Sequence, residues 1–281
     1  MNTNTEFFKL ANKYDDEIAG RVIIPAEEGS YPLVIISHGF KSFMNWGFMP
    51  YVSRVIAEAG AIAVSFDFSL SGITGGDDGI YDVDKFSRNT VSREVEDLKQ
   101  IIDWIYDGEL PLDMEKFNGQ LYLMGHSLGA VVTFIVAADD ERVKKVVSWS
   151  SISQLDRNTE RQKKQWREKG YMEFTEAITK QKLRLNVSYL EDKLENESRF
   201  SPLITISKLK IPVLLLHGEK DITVAPEEFF ELKKAADPEM TRSQMIEKAG
   251  HTYGSGHPMK HVSESLKKAL NETLEFLELN D

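Results

Sequence analysis

The chain has 281 residues, 28% of them charged, a formal net charge of -11 and no cysteine. A chain of this length can bury roughly 75% of its unfolded surface without staples, and the missing cysteines exclude disulfides, thiolate metal sites and a cysteine nucleophile, which fits a reducing cytoplasm. The acidic balance argues against nucleic acid as a general partner and for a soluble protein.

The first five residues, Met1-Asn2-Thr3-Asn4-Thr5, hold no basic segment leading into an apolar core, and no run approaches the roughly 18 apolar residues of a membrane span. A soluble, unprocessed cytoplasmic protein without a membrane partner is therefore expected. Residues 6–10 and 17–24 flank a polar turn and read as an antiparallel hairpin at a sheet edge. Residues 33–37, Leu-Val-Ile-Ile-Ser, form a continuous apolar run, as in a strand covered on both faces, and end in His38-Gly39-Phe40. Residues 50–59 read as a helix stopped by Gly60, and 61–66 as the next buried strand. Residues 67–81 are rich in glycine and aspartate, a loop long enough to be either functional or mobile. Residues 89–106 place Val91, Val95, Leu98, Ile101, Ile102 and Ile105 at helical spacing.

The apolar run 121–124 then enters Gly125-His126-Ser127-Leu128-Gly129, and a second apolar run leaves it. This is the strand, sharp turn and helix of a G-x-S-x-G nucleophile elbow, in which a side chain at either glycine would collide with a neighbouring strand or helix. Val131, Val132, Thr133, Ile135 and Val136 are β-branched, and propensity alone would make this run a strand. Its length and all-round apolarity instead predict a buried helix. Residues 143–149 and 213–217 read as buried strands, 223–236 as a helix, 243–246 as a short strand and 260–279 as a closing helix. Strands alternating with helices predict an α/β architecture, a mostly parallel eight-stranded sheet with helices on both faces.

Residues 151–210 break the alternation, since they exceed one loop and one helix. Residues 151–200 are read as a cap over the C-terminal edge of the sheet, inserted between core segments 1–150 and 201–281. The cap is basic, with nine Lys/Arg against four Asp/Glu between Arg157 and Arg184, a pattern read first as a solvated helix face.

A serine hydroxyl needs a histidine to take its proton and a carboxylate to hold that histidine. On a parallel sheet these partners lie at C-terminal strand ends, in the chain order Ser, Asp or Glu, His. After the strand at 213–217 comes Gly218-Glu219-Lys220-Asp221, and after the last strand Ala249-Gly250-His251. Asp221 is the expected acid, Glu219 its rival, and His251 the expected base. Negative charge on the carbonyl oxygen calls for paired N–H donors, assigned to the backbones of Leu128 and Phe40. His126 and His217 are read as supporting residues. His257, His261 and Glu264 could be drawn as a metal set, but Pro258 suggests that His257 opens a helix, so neither a metal nor a cofactor is expected.

The segments HGF, GHSLG, HGEKDITV and AGHTYGSGHP, in this order and spacing, resemble the α/β-hydrolase fold superfamily. Within it they are most similar to dienelactone-hydrolase-like esterases and cinnamoyl or feruloyl esterases. The resemblance implies Ser127 as nucleophile, Asp221 as acid, His251 as base and Phe40 and Leu128 as oxyanion donors. Two departures stand out: cinnamoyl-type relatives often carry Gln after the nucleophile, where this chain has Leu128, and dienelactone hydrolases proper use cysteine. The expected function is hydrolysis of small aryl or short acyl esters through an acyl-enzyme. The alternatives are an acyl-CoA thioesterase whose phosphates meet the basic cap, a peptidase of the prolyl oligopeptidase type, ranked lower because no propeller precedes the sheet, and a non-catalytic ligand-binding homologue. The oligomeric state is left open, a homodimer included.

Overall fold

The computed structural model describes residues 1–74, 79–176 and 179–279. Strands β1 (Thr3–Ala11) and β2 (Glu17–Pro25) form the expected antiparallel edge hairpin, in register from Thr3 opposite Pro25 to Ala11 opposite Glu17. Asn12 Oδ1 holds the turn by accepting the N–H groups of Tyr14 and Asp16 at 2.9 and 3.1 Å. There follow β3 (Tyr31–Ser37), α1 (Met49–Glu58), β4 (Ile62–Asp67), α2 (Val83–Ser87), α3 (Val91–Tyr106), β5 (Phe117–His126), α4 (Leu128–Asp139) and β6 (Val143–Trp149). The stretch between β6 and β9 supplies α5 (Glu160–Lys169), β7 (Tyr171–Thr175), β8 (Lys182–Asn186), α6 (Val187–Glu195), α7 (Glu197–Phe200) and α8 (Pro202–Lys208). The chain closes with β9 (Val213–Gly218), α9 (Pro226–Ala235), β10 (Thr241–Ile246) and α10 (Glu264–Leu277).

The main sheet has eight strands in the order β1-β2-β4-β3-β5-β6-β9-β10. The hairpin joins antiparallel through β2 and β4, and every pair from β4 to β10 is parallel. Successive strand side chains point to opposite faces, so a strand apolar at every position must be covered twice. On β3, Leu33 and Ile35 join the core under α3 and α4, while Val34 and Ile36 join the core under α1 and α10. Leu121 and Leu123 on β5, and Val213 and Leu215 on β9, repeat the first pattern; Tyr122, Met124, Leu214 and Leu216 repeat the second. This is the α/β-hydrolase fold.

The run after Ser127 is the helix α4 despite its β-branched residues, because it is buried from Leu128 to Val136 and packing overrides propensity. Segment 171–194, in which apolar and charged residues mix without one period, is the antiparallel hairpin β7–β8 followed by α6, so period 2 gives way to period 3.6. Two local expectations are corrected. The helix expected at 223–236 starts at Pro226, which suits the first helical position, because residues 221–225 turn back on Asp221. The closing helix starts at Glu264 rather than at residue 260, since Ser263 caps it by accepting the Leu266 N–H at 3.0 Å, and so His257 and Pro258 lie in a preceding loop. Of the loop at 67–81, residues 75–78 lie outside those described; Ile73 and Tyr81 bridge its two arms. Among the described residues no helix is long and apolar enough to cross a membrane.

Candidate active site

Ser127 sits between β5 and α4 with φ 56° and ψ -122°, a conformation that costs a non-glycine residue about 1–3 kcal/mol unless its surroundings impose it. They do so here. Its N–H donates to the Trp149 carbonyl at 2.9 Å, which ties the turn to the end of β6. A Cβ on Gly125 would lie 2.4 Å from the Gly129 carbonyl oxygen, and one on Gly129 would lie 2.4 Å from the His38 carbonyl oxygen. Glycine at both positions lets β5, α4 and the end of β3 approach closely enough to hold Ser127 at the tip.

Asp221 follows β9 and is 2% exposed. Its Oδ1 accepts the N–H groups of Thr223 and Val224, both at 2.9 Å, and its Oδ2 lies 2.7 Å from His251 Nδ1. Burial pushes the Asp221 carboxyl upward, but the His251 hydrogen bond and charge, joined by the two backbone donors, outweigh it and hold the group below the usual carboxylate range. With Nδ1 engaged, Nε2 is the His251 nitrogen left to exchange a proton. Ser127 and His251 line one cavity, and among the described residues Ser127 Oγ makes no hydrogen bond. Glu219, the rival acid, is exposed, and its Oε2 accepts the Lys248 N–H at 3.0 Å, whereas the carboxylate on His251 Nδ1 is that of Asp221.

The other buried histidines hold this arrangement. His126 Nε2–H donates to the His251 carbonyl at 2.9 Å; burial first, then repulsion from His251, push its pKa down to about 3, so the ring is neutral. His217 Nε2–H donates to the Val224 carbonyl at 3.0 Å, behind Asp221. His38 Nδ1 bonds the Gly39 carbonyl at 2.9 Å while its Nε2 accepts the Phe68 N–H at 3.3 Å, which settles the tautomer. Burial pushes His38 down to about 4, and the neutral ring shapes the loop carrying Phe40.

That loop runs against the elbow, since a Cβ on Gly39 would come within 3.0 Å of Ser127 Cβ. The Phe40 N–H makes no hydrogen bond among the described residues. Leu128 opens α4, where an N–H has no intrahelical acceptor and the helix dipole is positive. Both residues line the cavity with Ser127.

The cavity measures about 400 Å³, in the range of small-molecule sites. Its walls are mainly apolar, with Ile152 and Leu155 before α5, Trp166 on α5, Phe174 on β7 and Tyr189 on α6. Trp166 and Tyr189 stack at 6.3 Å with their planes 12° apart, and Phe174 packs edge-on against Phe40 at 5.8 Å. These walls, and the cations Lys41, Arg157 and Lys193 beside them, escaped the sequence reading. They come from separate segments whose convergence no local period announces.

The residues drawn as a metal set do not form one. His257 Nδ1 accepts the Gly47 N–H at 3.0 Å and its ring packs on Phe43, and among the described residues no group of three His, Cys, Asp or Glu is placed to hold an ion.

Comparison with known proteins agrees with this architecture. A structure of ferulic acid bound to Est1E from Butyrivibrio proteoclasticus superposes with a TM-score of 0.71 at 19% identity, covering 96% of this chain and 99% of that one. The esterase domain of a Rhodothermus marinus protein superposes with a TM-score of 0.63 at 18% identity, covering 98% and 96%. An uncharacterized 31.7 kDa protein from the traX-finO intergenic region of Escherichia coli is 31% identical over 137 residues, 49% of this chain and 43% of that relative, so the match spans less than half of either. The prolyl oligopeptidase family profile matches residues 50–277, from α1 through α10, and by that match the chain belongs to the prolyl oligopeptidase family.

Proposed function

We propose that this protein is a serine carboxylesterase acting on small esters with an aromatic or short acyl group. The observation that carries the proposal is the 2.7 Å contact between Asp221 and His251 at the wall of the cavity that holds the strained Ser127. In this reading Ser127 Oγ attacks the ester carbonyl carbon as its proton passes to His251 Nε2, and Asp221 stabilises the imidazolium. The Phe40 and Leu128 N–H groups meet the charge on the carbonyl oxygen. Collapse breaks the bond to the alkoxy group, which leaves with the proton from His251. Water then attacks the acyl-enzyme by the same route and restores Ser127. Acyl transfer of this kind calls for no metal or cofactor.

We read residues 151–200 as a cap, because Trp166, Phe174 and Tyr189 reach the cavity from it. The aromatic walls suit a flat acyl group, and the esterase and ferulic acid named for the structural relatives support ester chemistry. Family membership favours a second reading, cleavage of a peptide-like amide by the same residues. Hydrolysis of p-nitrophenyl acetate and butyrate, set against aminoacyl p-nitroanilides and acyl-CoA, separates the readings. Ester turnover that disappears in Ser127→Ala is expected; unchanged ester turnover in that variant would sink the proposal.

A further inference from the structure

The charged groups at the cavity point to a feature of its substrate. On a chain of net charge -11, the lining holds Lys41, Arg157 and Lys193 and, among the described residues, no carboxylate. Two of these cations are already neutralised. Arg157 Nη2 lies 2.7 Å from Glu228 Oε1, and Lys193 Nζ lies 2.6 Å from Asn158 Oδ1 and 3.4 Å from Asp156 Oδ1. Lys41 has no such partner among the described residues. Its ammonium lies 5.3 Å from the centroid of the Phe174 ring and 6.0 Å from that of Phe40, resting on faces that attract a cation without discharging it. Its backbone is fixed as well, with φ 56° and its carbonyl accepting the Tyr81 hydroxyl at 2.8 Å. Tyr81 is clasped in turn by Gln181, which accepts its N–H at 2.9 Å and donates to its carbonyl at 3.1 Å, binding the cap to the Lys41 loop.

An unpaired, positioned ammonium one residue after the Phe40 N–H would cost desolvation whenever a neutral ligand fills the cavity. An anionic substituent removes that cost and adds a charge-assisted hydrogen bond. We infer that the substrate is an ester carrying a carboxylate, and that Lys41 is the specificity-determining residue that selects it. This inference rests on the ester-hydrolase reading above.

The test compares kcat/KM within two matched pairs. In one the charge is on the acyl side, p-nitrophenyl hydrogen glutarate against p-nitrophenyl valerate; in the other it is on the alcohol side, 4-carboxyphenyl butyrate against 4-carbamoylphenyl butyrate. Taking the ratio within each pair cancels differences in active enzyme. Wild type is expected to prefer the anion by about tenfold or more in at least one pair, as a charged hydrogen bond supplies. That preference should shrink with added salt, collapse toward one in Lys41→Met and persist in Lys41→Arg. Ratios near one in both wild-type pairs, or a preference that Lys41→Met leaves intact, would overturn the inference. Loss of the ester-hydrolase reading looks different, since Ser127→Ala would then hydrolyse the neutral esters as fast as wild type.

Discussion

Asp221 Oδ2 and His251 Nδ1 stand 2.7 Å apart on loops that leave β9 and β10, two strands paired in parallel. Adjacent parallel strands end on the same edge of the sheet, so side chains far apart in sequence meet there without any long connection. The contact fixes which imidazole nitrogen faces the cavity.

Replacing Asp221 with Asn should therefore keep the fold and lose the orientation. The two backbone donors to Oδ1 still find an oxygen, but the amide nitrogen now faces His251 Nδ1 and favours the wrong tautomer. A fall in kcat of about 10³ to 10⁴ is expected, with little change in KM. Because the Asp221 carboxyl is held low in the folded state, its contribution to stability is present above the ordinary carboxylate range and is lost only as pH falls through its folded value. Steady-state kinetics and a melting curve on the same variant check both points.

His126 offers a different test, since it hydrogen-bonds the backbone carbonyl of His251 while its ring packs against the His251 ring at 4.7 Å. His126→Phe keeps an aromatic body against Phe48 and removes the donor to the His251 carbonyl. We expect kcat to drop by about tenfold to a hundredfold as the base is misplaced, with KM less affected. A drop in KM affinity alone would assign His126 to substrate contact.

Gly129→Ala should be far more disruptive than its single methyl suggests. The new Cβ would meet the carbonyl oxygens of His38 and Ser37 at 2.4 and 2.5 Å, and both are backbone atoms at the end of a buried strand. Relief requires α4 to move away from β3, which parts the Leu128 N–H from the Phe40 N–H. A loss of several kcal/mol in denaturant unfolding, on the order expected for a core clash, is predicted along with loss of activity.

Glu94 concerns stability alone. It lies fully buried on α3, accepting from Asn89 Nδ2 at 2.7 Å, and burial pushes its pKa from 4.5 up to about 8. The folded state thus holds a proton that the unfolded chain releases, and stability falls as pH rises from about 4.5 to 8. Glu94→Gln keeps an acceptor for Asn89 and does not titrate. Its Tm should exceed that of wild type at pH 8 by several degrees, and the gap should narrow toward pH 5.

Much of this was legible in the sequence for identifiable reasons. Residues 33–36 are apolar at every position, which period-2 geometry turns into a strand buried on both faces. Gly125 and Gly129 flank Ser127 at positions where only the smallest residue fits. Asp221 and His251 each stand just past a strand, where a parallel sheet must put its chemistry. The β7–β8 hairpin was hidden because both strands are short and mix charged with apolar residues, leaving Leu183 and Leu185 as the buried alternation. The start of α10 was misplaced because the helical spacing continues upstream of Ser263, and only the cap geometry marks the boundary. Lys41 gave no signal at all, since its importance depends on Phe174, more than a hundred residues away in the chain.

The most direct measurement is the mass of the protein after reaction with a fluorophosphonate, followed by mapping of the labelled peptide. One phosphonyl group per chain on Ser127, absent from Ser127→Ala and greatly slowed in Asp221→Asn, is the expected result. An unlabelled wild-type protein, or a label that persists on another residue in Ser127→Ala, would contradict a nucleophilic Ser127.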